Sequence, residues 1–448
     1  MSASVPQPAS KGSPSLLVRT RELDTGGETL SDGDLIGLLP RPRADAAHLW
    51  LRRGAGLVGW GQVARFTSSG PDRFADAMGA WREFTEHLVV RDEVGLPGSG
   101  PVAFGAFTFA PATSAPSVLL VPEVVLGSRD GRTWITTVSP VDPVDEKPSL
   151  PPLGPAPTLA QLREQVSPLR PHRGVQVLPG ALNADEWVEQ VERVIARIRR
   201  GDVAKVVMAR EEHAQVTEEL DVRPVLTQLA HAYPTTWTFA VDGLIGATPE
   251  LLVRRERGLV SSRVLAGTIP RTGDDEADLT HAASLARSSK DLEEHEFAVQ
   301  SLMDSLRPVA ASTNAQDAPF VLHLPNVMHL ATDVTAVLAT EHADLSSLDL
   351  AARLHPTAAV CGTPTPEAAE MIAEHEQMDR GRYAGPVGWI GADGDGEWGI
   401  ALRCAQVEPS GRELRLFAGC GIVAASDPVA ELGEAEAKLA PMRAALRI

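Results

Sequence analysis

Cysteine is nearly missing from this chain: Cys361, Cys404 and Cys420 are the only three in 448 residues. None stands in a C-x-x-C pair and the histidines form no cluster at zinc spacing, so a disulfide framework and a structural zinc site are set aside. The three thiols are expected to be reduced and buried as small hydrophobes. Long apolar runs are missing too, none approaching the roughly 20 residues that span a bilayer, so no membrane contact is expected. Met1–Ser15 is rich in Ser, Pro and Ala and lacks the apolar core of a secretion signal. Residues 1–15 therefore read as a disordered leader of a cytoplasmic protein. Positive charge is outweighed, 41 Lys and Arg against 59 Asp and Glu. The resulting net charge of −18 argues against nucleic acid as a partner. A small anionic substrate stays open, provided that local cations oppose the overall field.

What is present has ordinary globular character, in a length that calls for two domains or one large composite domain. Residues 16–140 alternate short β-like runs, such as Val102–Phe109 and Val118–Val121, with Gly- and Pro-rich turns. One helical stretch near Asp72–Leu88 interrupts them. Seven prolines between Pro140 and Pro157 mark an extended connection, assigned to 141–180. Residues 181–448 form the last region. It opens on a capping-box pattern, Asn183 and Glu186, followed by Trp187, Val191, Val194, Ile195 and Ile198 at helical spacing and a stop at Gly201. Lys205–Arg210 reads as a strand, with Lys205, Val207 and Ala209 on one face and Val206 and Met208 on the other. Ser288–Leu306 reads as a helix, and Asp427-Pro428 opens the final one. Strands mixed with helices in this way indicate an α+β fold.

Several residues carry chemistry. Asp291, Glu294 and His295 share one helix face, as do Glu431, Glu434 and Lys438. Two such faces are able to hold a hard cation through oxygen ligands; alone, each reads more readily as a solvated helix face. Lys205 lies among Val, Ala and Met, where a lysine serves as a general base or as an edge-strand charge against aggregation. Glu250, after Pro249 and before an apolar strand, is an acid or a structural glutamate. Gly267 in Leu265–Thr268 and Gly419 in Phe417–Gly421 offer backbone N–H groups to carboxylate oxygens, or are plain turns. Arg403 in the apolar Ile400–Cys404 needs an anion, from a substrate or from a structural Asp or Glu. His355 is a hydrogen-bond donor at the reaction or a helix-end histidine, and joins the catalytic candidates.

The order of these segments adds a resemblance. Lys205–Arg210, Ala247–Leu252, Leu265–Thr268, Lys290–His295, Leu354–Thr357, Asp379–Trp389, Gly396–Trp398, Leu402–Cys404, Ala418–Val423 and Glu434–Lys438 together closely resemble the chorismate-utilising enzymes. The resemblance covers about 180–445 and is loose before that. It implies a single large layered β-sandwich with outer helices. It also implies magnesium held by Glu294 and Glu434, with Asp291 and Glu431 in support. Arg403 and the backbone near Gly419 would bind the enolpyruvyl carboxylate; Thr268, Lys438 and Tyr383 would line the site. Chorismate is then the expected substrate, reached by an acidic protein through local cations.

Within that family, members that add water keep a strand lysine, here Lys205, and members that use ammonia lack it. Ala266 stands where one group carries a lysine that attacks the ring. The expected reaction is conversion of chorismate to isochorismate, with Lys205 activating water at ring carbon 2 and Glu250 protonating the departing 4-hydroxyl. Salicylate formation is the near alternative, and a non-catalytic or ammonia-using subunit the distant one. A monomer with no amidotransferase subunit is expected. His355-Pro-Thr is followed by Ala358 where many relatives have a second proline.

Overall fold

Period-two apolar runs form strands in both halves of the chain, and the halves share their sheets. The computed structural model describes residues 16–40, 43–140 and 156–448; among them stand one sheet of thirteen strands and one of ten. In the larger sheet Ala47–Arg52 pairs with Trp237–Val241, Leu51 opposite Thr238. In the smaller sheet Val102–Ala106 pairs with Pro386–Gly391, Phe104 opposite Trp389. Neither sheet closes into a barrel. The result is a mixed α+β fold with helices outside.

The largest core lies between the sheets, where Trp50 and Phe239 of one meet Phe104, Val253 and Trp398 of the other. Contact there is close enough that a Cβ on Gly399 would come within 2.6 Å of the Trp50 ring. The Trp50 indole N–H donates across the gap to Glu397 at 3.0 Å, which satisfies a buried donor. A second core fills the outer face of the larger sheet. There Leu49, Leu51, Ile245 and Leu416 lie under Leu226 and Leu229 of the helix Val222–Ala232 and under Leu439 and Met442 of Pro428–Leu446. Truncating one such leucine to alanine costs about 2–5 kcal/mol.

The helix Ala184–Arg199 forms for the reasons visible in its sequence. Asn183 accepts from the Glu186 N–H at 3.0 Å, and Glu186 accepts from the Asn183 N–H at 2.8 Å. Trp187, Val191, Val194, Ile195 and Ile198 are buried, and Gly201 follows with φ +89°. Ser288 caps Ser289–Leu306 and Asp427 caps Pro428–Leu446, both through side-chain oxygens. Three features differ from the sequence reading. A short helix, Asp32–Gly37, stands in the N-terminal half beside the expected one, which spans Arg73–Glu86. The run Val102–Phe109 leaves the sheet after Ala106. The proposed connection 141–180 holds a helix, Leu159–Glu164, and a strand, Gln176–Pro179. Thr158 and Gln161 cap that helix reciprocally, and Leu159 and Leu162 are buried in the second core. The leader 1–15 and the prolines before Ala156 lie outside the described residues.

Candidate active site

Two neighbouring strands change sheets at the same place. Leu244–Thr248 belongs to the larger sheet and its continuation Leu251–Glu256 to the smaller; Gly396–Ile400 belongs to the smaller and Cys404–Val407 to the larger. The segments pair on both sides of the crossing, Gly246 with Cys404 and Leu251 with Gly399. Glu250 and Arg403 are the residues at the seam. The Ile400 N–H donates to the Glu250 carbonyl and the Ala247 N–H to the Arg403 carbonyl, both at 3.2 Å. Arg403 is not within a continuous strand, as Ile400–Cys404 had suggested. It takes φ +50° to turn the chain between sheets.

Both side chains enter one cleft together with Lys205, Gly267, Thr268, Asp291, Tyr383, Gly419, Glu431, Glu434 and Lys438. Glu250 is 6% exposed. Burial pushes its pKa up to about 8 against the opposing pull of Lys205, Lys438 and Arg403, so the carboxyl keeps its proton near neutral pH. Arg403 is buried, and the same burial lowers its pKa from the usual guanidinium value. Its Nη1 has no hydrogen-bond partner in the protein. A buried guanidinium with an idle donor is suited to receive an anion.

Lys205 begins the strand Lys205–Gln215 and lines the cleft with Val207, while Val206 and Met208 face the core. Ala209, which alternation put with Lys205, is buried in the core. The Lys205 strand is pinned from behind. The Ala209 N–H donates to Glu376 Oε1 at 2.7 Å, and Arg380, paired with Glu376, donates to the Val207 carbonyl at 2.8 Å. Tyr383 stacks on Phe417 at 5.0 Å between centroids, and burial raises its pKa. Gly419 makes room for it: a Cβ there would lie 2.9 Å from the Met208 carbonyl oxygen and 3.1 Å from the Tyr383 hydroxyl. Gly267, at φ +74°, is the extra residue of a bulge between Ala266 and Thr268, a conformation that glycine takes without strain.

His329, which the sequence reading missed, ties these parts together. Arg403 Nη2 lies 3.2 Å from His329 Nε2, and Thr268 Oγ1 lies 3.1 Å from Nδ1. A guanidinium only donates, so Nε2 is the acceptor and Nδ1 carries the proton. Burial and the Arg403 charge hold the ring neutral, its pKa well below the usual value. The signal was available: a histidine amid the apolar strand Val327–Leu338 is as anomalous as the lysine at 205.

The helical wall supplies carboxylates. Asp291, Glu431 and Glu434 line the cleft; the Glu294 side chain lies outside the described residues. Lys438 Nζ is 2.6 Å from Glu434 and 3.0 Å from the Gly419 carbonyl oxygen. Ser426 donates to Glu431 at 2.6 Å. Burial, then the neighbouring Glu434 charge, raise the Glu431 pKa, the crowding of like charges that a cation relieves. Among the described residues no three acidic, histidine or cysteine side chains converge as a ready metal cage. An ion that keeps several waters and takes one or two carboxylates, as magnesium does, fits such a wall.

His355 does not join this group. It ends the helix Ser347–Leu354, donates from Nε2 to the Phe109 carbonyl at 2.9 Å, and stands edge-on to the Phe109 ring. It lines a neighbouring cavity instead of the cleft. Burial lowers its pKa to about 4. These contacts are those of a helix-end histidine and place it outside the cleft where the other candidates meet.

Known proteins match this arrangement in sequence and in fold. The family model described as chorismate binding enzyme matches residues 43–447. Isochorismate synthase MenF of Bacillus subtilis is 30% identical over 87% of this chain and 85% of its own length. Isochorismate synthase DhbC of the same organism is 38% identical over 59% of this chain and 68% of its own length. The crystal structure of a putative 2,3-dihydroxybenzoate-specific isochorismate synthase, DhbC from Bacillus anthracis, superposes with a TM-score of 0.73 at 30% identity, covering 92% of this chain and 99% of that one. With its seam, its cleft and nearly its whole length accounted for by that match, this chain belongs to the chorismate-binding enzymes.

Proposed function

We propose that the protein is an isochorismate synthase, an isomerase that converts chorismate reversibly into isochorismate. One observation carries the reading. An acid that keeps its proton, Glu250, faces the same cleft as a lysine amine, and an anion receptor, Arg403, stands beside them. Relatives that bear this activity in their names cover most of the chain.

The chemistry follows from those groups. The Lys205 amine takes a proton from a water that attacks ring carbon 2. The double bond shifts, and Glu250 gives its proton to the hydroxyl leaving carbon 4, which departs as water. Water enters and water leaves, so the reaction is nearly balanced. Arg403 takes the enolpyruvyl carboxylate with the backbone near Gly419. Thr268 and His329 hold the guanidinium in place, and Tyr383 flanks the substrate. Magnesium would be held by Glu294 and Glu434 with Asp291 and Glu431 in support; when bound it supplies positive charge for the ring carboxylate. Among the described residues no helix is long and apolar enough to cross a membrane.

The test is product analysis by chromatography after incubation with chorismate and magnesium. Isochorismate is expected as the sole product, in a balance with chorismate that is also reached when isochorismate is the starting material. Salicylate with pyruvate, or anthranilate in the presence of ammonia, would overturn the reading.

A further inference from the structure

Glu250 and Ala359 line two cavities at once, the cleft and a second cavity behind it. The second cavity has a volume of about 250 Å³, room for several waters. Its polar wall runs outward from Glu250 past Ser262, His355 and Thr357 to Ser305, Ser301 and Arg353. Ser262 is buried, whereas Ser301 and Arg353 are exposed, so the wall reaches the surface between the helices Ser289–Leu306 and Ser347–Leu354. Two polar atoms in it, Thr357 Oγ1 and His355 Nδ1, are buried without a protein partner. His355 donates through Nε2 to Phe109, which leaves Nδ1 as a bare acceptor. Buried atoms of this kind are satisfied by ordered water.

We propose that this second cavity is a water-filled proton path through which Glu250 exchanges its proton with bulk solvent. The inference rests on the acid role given to Glu250 above. Each forward turnover leaves Glu250 as a carboxylate and Lys205 as an ammonium, and both must return to their starting states. The substrate ring then lies between them in the cleft. The carboxylate takes a proton from the water beside it in the second cavity, that water takes one from the next, and the last takes one from bulk. The Lys205 ammonium releases its proton to bulk through the cleft, so no proton is consumed overall. In the reverse direction the same chain carries a proton outward. Thr357 and His355 are positioning residues that hold the waters and touch no substrate.

The test uses the full chain with magnesium and two variants. Thr357→Val removes an unpartnered hydroxyl at nearly constant volume. Ser301→Phe plugs the outer end from an exposed helix position, with little risk to folding. Each should lower kcat by roughly ten-fold, leave the KM for chorismate unchanged, and enlarge the solvent deuterium isotope effect on kcat. Imidazole buffer, a small proton carrier, should restore kcat in proportion to its concentration. A folded Ser301→Phe variant with wild-type kcat and isotope effect overturns the proton path, and so does a loss that no buffer repairs. Glu250→Gln at the wild-type rate would instead overturn the acid assignment itself.

Discussion

The two walls of the cleft are built on different principles. The seam wall carries isolated functional groups, Glu250 and Arg403, each buried and each held by backbone that crosses between sheets. The helical wall gathers charges in a cluster, with Asp291, Glu431, Glu434 and Lys438 standing on two helices at one-turn spacing. Isolation by burial is what keeps a proton on Glu250, because desolvation disfavours its charged form. Clustering does the reverse and assembles negative charge that only cations can balance. On the reading proposed above, the seam would supply the acid and the anion receptor, and the helices the carboxylates that a cation balances.

The largest effect expected from breaking this division is on the helical wall. Glu434→Gln, or excess chelator, should nearly abolish turnover; full activity in either case would remove the metal from the helices. Next come the transferring groups. Lys205→Gln and Glu250→Gln should each lower turnover by roughly 10²–10⁴-fold, the usual worth of a positioned base or acid, while chorismate still binds. Ammonium salts at high pH should give the Lys205→Gln variant some amination at carbon 2, since ammonia attacks without a base. A Lys205→Gln variant near the wild-type rate would reduce that lysine to an edge-strand charge.

Glu250 also makes a prediction about stability. Its pKa rises on folding from 4.5 to about 8, so between those values the folded state holds more proton than the unfolded one, and stability falls as pH rises. Glu250→Gln removes that loss. Its stability, followed by thermal or denaturant melts, should gain on wild type from pH 5 to pH 9 by on the order of 4 kcal/mol at most. Parallel curves would mean that the carboxyl is already ionised in the folded protein.

Smaller effects sharpen the comparison within the seam. Arg403→Ala should raise KM about ten- to a hundred-fold, the loss of a charge-assisted contact worth roughly 1.5–3 kcal/mol, with kcat less affected. An unchanged KM would make Arg403 a partner of His329 alone. His355→Gln should lower kcat by no more than about ten-fold, since the ring touches Phe109 and not the cleft. A larger loss would return it to the catalytic set.

Much of this site was legible in the sequence because its residues are locally anomalous. A lysine among valines, a glutamate after proline, an arginine in an apolar run and two one-turn carboxylate faces each broke a pattern. Alternation put Lys205 and Val207 together, and the capping box marked where Ala184–Arg199 begins. The sheet crossing was not legible. Ile400–Cys404 reads as one strand, and nothing within five residues says that its ends pair with different sheets. That fact depends on partners far away, at Leu244–Thr248 and Leu251–Glu256. Asp32–Gly37 and Leu159–Glu164, six residues each, are too short to show a helical period. Only their capping residues, Ser31 with Asp34 and Thr158 with Gln161, could have marked them.

The crossing has a mechanical consequence. When two plates joined along a line rock against each other, points on the line stay where they are, and displacement grows with distance from it. Glu250 and Arg403 lie on such a line, laced together by the Ile400 to Glu250 and Ala247 to Arg403 backbone bonds. The helices Ser289–Leu306 and Pro428–Leu446 stand away from it, packed on the sheets through Leu302, Leu306, Leu439 and Met442. Any rocking of one sheet on the other would thus change the spacing between Glu250 and Arg403 least.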